Sequence, residues 1–204
     1  MIDHKYKYIY IHIPKTGGTS VEQSLIQVHH PEIVKPVAFW PDDLKETFVV
    51  GNSSNQHWSL DMFDKYIDYI SFCTVRNPFD RIVSEYIYIH NGYNMSRSSI
   101  PDLDFPTFVK RDLIESLAFP HHSQCQIAFI DTPTNHVDYI IKFENLQQDF
   151  NAVCDKIGIP RQQLPHKNKT KHKHYTEYYD EETKQIVAEK YAQDIERFGY
   201  EFGE

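Results

Sequence analysis

The start of this chain constrains its fold more than any other segment. In residues 6–13, Ile9, Ile11 and Ile13 fall on one side and Tyr8, Tyr10 and His12 on the other, the period of a strand. Pro14-Lys15-Thr16-Gly17-Gly18 follows at once. Residues 19–30 then place Val21, Leu25 and Val28 on one helical stripe, and Pro31 stops it. A strand, a glycine-bearing loop and a helix in that order form the opening unit of an α/β sheet.

The rest of the chain extends that pattern. Residues 47–50 read as a short strand and 59–67 as a helix. Residues 69–75, YISFCTV, are nearly all apolar, as a parallel strand buried on both faces must be. A helix runs from Pro78 or Asp80 to His90, with Asp80 as a candidate cap. Helices are expected near 105–117 and 121–130, a buried strand at 137–143, a helix at 145–157 and a last helix at 180–198. Residues 31–46 and 91–106 are loop-like. The expected fold is therefore α/β: a three-layer, P-loop-like parallel sheet flanked by helices, with an α-rich second half, in one domain over residues 1–204.

Composition narrows the partners. The formal net charge of −8 disfavours broad attraction to nucleic acid or anionic lipid, while leaving room for a local basic pocket. Three well-separated cysteines, Cys73, Cys125 and Cys154, match neither a disulfide scaffold nor a zinc site. The alternating N-terminal stretch resembles no export signal, and no apolar run reaches membrane-span length. A cytoplasmic location is the expectation, and the sequons at Asn52, Asn94 and Asn168 are then chance matches.

Chemistry concentrates in two places. The first is His12-Ile13-Pro14-Lys15-Thr16-Gly17-Gly18-Thr19-Ser20. A helix N-terminus presents unpaired N–H groups and a positive dipole end, and glycines let the backbone curl around a tetrahedral anion. Lys15 adds a charge, and Thr16, Thr19 and Ser20 add hydroxyls. A plain tight turn explains the glycines and one cap, but not the lysine and all the hydroxyls together. Lys15 precedes the glycines, whereas a Walker A lysine follows them.

The second is Arg76-Asn77-Pro78-Phe79-Asp80-Arg81-Ile82-Val83-Ser84-Glu85-Tyr86. Arg76 ends a strand where a nucleotide hydrolase wants an acid for Mg²⁺, so a second anion fits better than a metal. Arg76 and Ser84 offer a forked guanidinium and a hydroxyl. The bland alternative is that Arg76 pairs with Asp80 and Ser84 merely packs.

Together these segments resemble the sulfotransferase superfamily, nearest to the carbohydrate branch that includes heparan and chondroitin sulfotransferases and bacterial relatives. HIPKTGGTS is similar to that family's 5′-phosphosulfate loop and RNPFDRIVSEY to its 3′-phosphate motif, with weaker echoes at residues 142–146 and 194–200. The resemblance implies a donor, 3′-phosphoadenosine 5′-phosphosulfate (PAPS). It places the donor's 5′ end on Lys15, Thr16, Gly17, Gly18, Thr19 and Ser20, and its 3′-phosphate on Arg76 and Ser84. It implies in-line transfer to an acceptor hydroxyl, with carbohydrate as the expected acceptor class and no metal required. Lys15 then also meets the charge on the leaving phosphate oxygen.

The acceptor must lose a proton, and His57, flanked by Gln56 and Trp58, is the expected base. His12 is second, read rather as packing or orienting the loop. The basic run from His166 to Tyr175 reads as a solvated loop or a flap over the ligand, and less well as a metal site built from His166, His172 and His174. Glu144, at a strand's end, reads as a helix cap in preference to an acceptor contact. Acceptor specificity is expected in residues 31–46 and 91–104. The rivals are a P-loop kinase or hydrolase, which needs Mg²⁺, and a non-catalytic nucleotide-binding module.

Overall fold

The computed structural model describes residues 1–29, 48–49, 57–90, 103–113, 120–133, 135–165 and 173–204. Both expected specificity segments fall almost wholly outside these residues, as do the three sequons and residues 166–172 of the basic run.

In chain order the elements are β1 (Ile2–Asp3), β2 (Tyr8–Ile11), α1 (Gly18–His29), β3 (Phe48–Val49), a 3-10 helix (Leu60–Tyr66), β4 (Ile70–Val75) and α2 (Pro78–His90). Then come α3 (Phe105–Thr107), π-helical turns (Phe108–Leu113), a 3-10 turn (Pro120–His122), α4 (Ile127–Ile130) and β5 (Tyr139–Lys142). A 3-10 turn (Phe143–Asn145), α5 (Leu146–Ile157), another 3-10 turn (Tyr175–Tyr178), α6 (Glu181–Lys190) and α7 (Ala192–Phe198) complete the series. The fold is α/β, a mostly parallel sheet flanked by helices. Its residues group into two compact units, Met1–Val75 with Ala128–Asn168, and Arg76–Ile127 with Lys169–Glu204.

The first unit holds the sheet, a five-stranded one in the order β3-β1-β2-β4-β5. β2, β4 and β5 run parallel, with Ile11 opposite Cys73 and Val75 opposite Lys142. Their carboxyl ends therefore share one edge, and the Lys15 loop leaves from it. β1 was not expected, and it runs antiparallel to both β2 and β3. The reversal between β1 and β2 is built by Asp3, whose side chain accepts from the amides of Lys5 (2.8 Å) and Tyr6 (2.9 Å). Lys7 completes the turn with a left-handed φ of 54°. Every residue of β2 is buried, as a strand covered on both faces requires. On one face Tyr8, Tyr10, Phe72 and Ile141 pack with Val21, Leu25 and Ile26 of α1 and Phe150, Val153 and Ile157 of α5. β5 departs from the expected buried strand. It lies at the sheet edge, and only Ile141 in it is fully covered. The expected helix at 59–67 is a 3-10 helix instead, because its buried residues, Leu60 and Phe63, stand three apart and eclipse in a three-residue turn.

The second unit is helical. Phe79, Ile82, Val83 and Ile87 of α2 pack with Phe105, Phe108, Val109 and Leu113, and with Tyr175, Val187 and Tyr191. Burial of each such side chain contributes roughly 1.5–3 kcal/mol. The helix expected at 180–198 is broken in two. Tyr191 leaves helical geometry at φ −109° and ψ 24°, and its hydroxyl donates to the Ser123 carbonyl at 3.0 Å. No helix among the described residues is long and apolar enough to cross a membrane. All three cysteines are unpaired with one another.

Candidate functional site

Ile11 ends β2, and the next residues turn sharply into α1. Lys15 sits at φ 67° and Gly17 at φ 86°. A left-handed backbone costs a non-glycine residue roughly 1–2 kcal/mol, and such strain gathers at ligand sites. Gly17 pays no such penalty, and it is half-buried with one side closely packed. A Cβ there would lie 3.0 Å from the Phe143 ring and 3.4 Å from Leu146. The echo noticed at residues 142–146 thus has a physical role, since that segment packs against the loop backbone. Thr16 turns inward: it is fully buried and its hydroxyl donates to the Ile13 carbonyl at 2.9 Å. Ser20 is buried in the first turn of α1, where its amide donates to the Gly17 carbonyl at 3.0 Å. Lys15 and Thr19 are half-buried.

His12 lies under this loop. Its Nδ1 is 2.9 Å from Glu22 Oε2, and its ring faces Gly18 so closely that a Cβ there would be 2.5 Å from Nε2. Burial pushes the Glu22 carboxyl up, but the attraction and hydrogen bond of His12, with the N-terminal amine, hold it below the usual glutamate range. Glu22 is therefore a carboxylate, set against the His12 ring. Glu22 was missed in the sequence because an acidic residue on an amphipathic helix reads as solvated.

His57 is in the same unit. Its Nδ1 is 2.9 Å from the His12 carbonyl oxygen, and the two rings meet edge to face at 4.9 Å and 89°. A carbonyl only accepts, so Nδ1 donates. In neutral His57 the lone pair is thus on Nε2, the tautomer fixed as in other histidine bases. The structure brings together Lys15 to Ser20, His12 and His57.

Arg76 and Ser84 belong to the second unit. Arg76 is the next residue in the chain after β4. Asp80 Oδ2 accepts from its Nε at 2.8 Å and its Nη2 at 2.7 Å, so the bland pairing is present. Ser84 is half-buried one turn beyond Asp80, on the same face of α2. Asn77, not Asp80, caps α2. Its Oδ1 accepts from the Phe79 amide at 3.1 Å, with Pro78 in the first helical position. Asp80 lies too far inside the helix to cap it, and Arg76 occupies its carboxylate. Glu144 does not cap α5 either, for α5 has no side-chain cap bond. His174 is exposed and its Nδ1 is 2.8 Å from the Thr176 hydroxyl, while His166 and His172 lie outside the described residues.

The molecule is a mostly parallel α/β protein whose first parallel strand runs into a strained, lysine-bearing loop at a helix N-terminus, a candidate anion site. A model of the Sulfotransferase family matches residues 1–201, and the chain belongs to that family. An uncharacterized protein of Archaeoglobus fulgidus is 34% identical over 101 residues, which is 46% of this chain and 72% of that protein. The crystal structure of a sulfotransferase from Alicyclobacillus acidocaldarius matches over 96% of each chain, with a TM-score of 0.50 and 16% identity, a likeness of fold. Family and fold together support sulfuryl transfer as the activity.

Proposed function

We propose that this protein transfers a sulfuryl group from PAPS to an acceptor hydroxyl, with carbohydrate as the acceptor class. The observation that carries the reading is the left-handed Lys15-to-Gly17 loop beside a histidine whose tautomer is set by the loop's own backbone. The donor set suits the nucleotide: an ammonium, a helix N-terminus and glycine backbone for its 5′ end, an arginine and a hydroxyl for its 3′-phosphate. In this assignment Lys15, Thr16, Gly17, Gly18, Thr19 and Ser20 hold the 5′ end, and Arg76 and Ser84 hold the 3′-phosphate.

The acceptor oxygen attacks sulfur, the bond from sulfur to the bridging phosphate oxygen breaks, and the acceptor proton passes to His57 Nε2. Lys15 and the N-terminus of α1 meet the charge that develops on the leaving oxygen. No step requires a metal. The test is transfer of labelled sulfate from PAPS to a panel of sugars, lipid alcohols and small alcohols. The expected result is transfer by the wild type and a loss of about a hundred- to ten-thousandfold in His57→Ala. Near wild-type turnover in His57→Ala sinks the base assignment. Nucleotide binding without transfer to any acceptor favours the non-catalytic module.

A further inference from the structure

Gln126 had no role in the sequence, and it is completely buried. Its side-chain amide grips both backbone groups of Arg76: Oε1 accepts from the Arg76 amide at 2.9 Å, and Nε2 donates to the Arg76 carbonyl at 2.9 Å. A single glutamine thus does for Arg76 what a neighbouring strand does for a strand residue. Gln126 is held in turn by Asp194 of α7, also completely buried. The Asp194 carboxylate accepts from the amides of Gln126 (2.8 Å) and Ile127 (2.9 Å), and lies 3.3 Å from Gln126 Nε2.

The segment leading to Gln126 is anchored from further sides. Arg81 is fully buried, and its guanidinium donates to the carbonyls of His122 and Gln124, each at 2.9 Å. Cys125 Sγ donates to the Lys190 carbonyl at 3.4 Å. Buried polar groups on this scale hold a single geometry when all are paired. What they hold here is the main chain of Arg76, itself buried, while Asp80 holds its guanidinium plane.

We infer that Gln126 and Asp194 are positioning residues for Arg76, and through it for recognition of the donor's 3′-phosphate. The inference rests on the proposed assignment of Arg76. Gln126 sets where the guanidinium starts, Asp80 sets how it is turned, and Asp194 sets Gln126. Removing the Gln126 amide takes these two hydrogen bonds from the buried main chain of Arg76, and the main chain shifts in response. Small displacements of a binding group are costly, with about 1 Å sufficing for a large loss. Asp194→Asn is also disruptive, because one carboxamide oxygen replaces two carboxylate oxygens that accept from two amides.

The test compares affinity for 3′-phosphoadenosine 5′-phosphate (PAP) and for AMP, by calorimetry, in the wild type and in Gln126→Ala, Asp194→Asn and Arg76→Ala. AMP lacks only the 3′-phosphate, so the ratio of the two affinities isolates it, and general loosening of the fold lowers both alike. Gln126→Ala should weaken PAP about tenfold or more and AMP less than twofold, with Asp194→Asn changing the ratio in the same direction. If Arg76→Ala lowers the ratio while Gln126→Ala leaves it at the wild-type value, the positioning role is wrong. If Arg76→Ala itself leaves the ratio unchanged, the assignment of Arg76 fails first and the inference falls with it. Should Gln126→Ala not fold, Gln126→Glu serves. It preserves the volume and the acceptor for the Arg76 amide but sets a carboxylate oxygen against the Arg76 carbonyl, and the same loss of ratio is expected, an unchanged ratio again overturning the role.

Discussion

Replacing Gly18 by alanine tests the packing beneath the Lys15 loop. The added Cβ would lie 2.5 Å from both Cδ2 and Nε2 of His12 and 2.9 Å from Cε1. The ring has little room to retreat. His12 is 4% exposed, its Nδ1 is paired with Glu22 at 2.9 Å, and His57 lies across it at 4.9 Å. Overpacking of this kind costs about 1–3 kcal/mol. Alanine returns at most about 1 kcal/mol in helix propensity over glycine. With the full return, the net loss is up to about 2 kcal/mol, a fall of up to about 8 °C in Tm for a chain of this size. Thermal unfolding of Gly18→Ala in the wild type and in a His12→Ala background measures the coupling. With the imidazole gone, Gly18→Ala should be neutral or stabilising. An equal effect of Gly18→Ala in both backgrounds refutes the contact as the cause.

Further outcomes follow from the same site. Glu22→Gln should cost about 1.5–3 kcal/mol at pH 7, typical of a charge-assisted hydrogen bond. Because the native carboxyl is held low, its stabilisation is present above the ordinary glutamate pKa of about 4.3 and is lost as pH falls through the native value. Denaturation at neutral and acid pH should therefore show the gap between wild type and variant closing on the acid side, and a gap independent of pH contradicts the low-lying Glu22 carboxyl. Lys15→Ala should lower both PAP affinity and turnover, since its charge serves ground and transition states alike. His57→Ala should leave PAP affinity nearly intact, and a parallel loss of binding would place His57 in the donor site instead.

The legible parts of the fold were those written in local period. Ile9, Ile11 and Ile13, then the loop, then Val21 and Leu25 define a unit that needs no distant partner to be read. The strand YISFCTV was legible for the same reason. β1 was not, because a two-residue strand exists only through its pairing of Ile2 with Ile9 and Val49. The break falls at Tyr191, whose hydroxyl reaches Ser123, and no spacing announces either. In the site, the Arg76–Asp80 pair was readable from its four-residue separation on a helix start. Glu22 and Gln126 were not, because polar side chains read as solvated until packing buries them and supplies their partners. The role of residues 142–146 lay between: their sequence stood out, but contact of Phe143 and Leu146 with Gly17 is a tertiary fact.

If the nucleotide is read by two separate phosphates, one on the Lys15 loop and one at Arg76, then the 3′-phosphate must add to its affinity. Thermal unfolding of the wild-type protein with PAP or with AMP, at equal free concentrations, tests it most directly. A ligand about a hundredfold above its dissociation constant stabilises the native state by roughly 2.7 kcal/mol. The account predicts a clear upward shift of Tm with PAP and a much smaller one with AMP. Equal shifts, or none with PAP at saturating concentration, would contradict it.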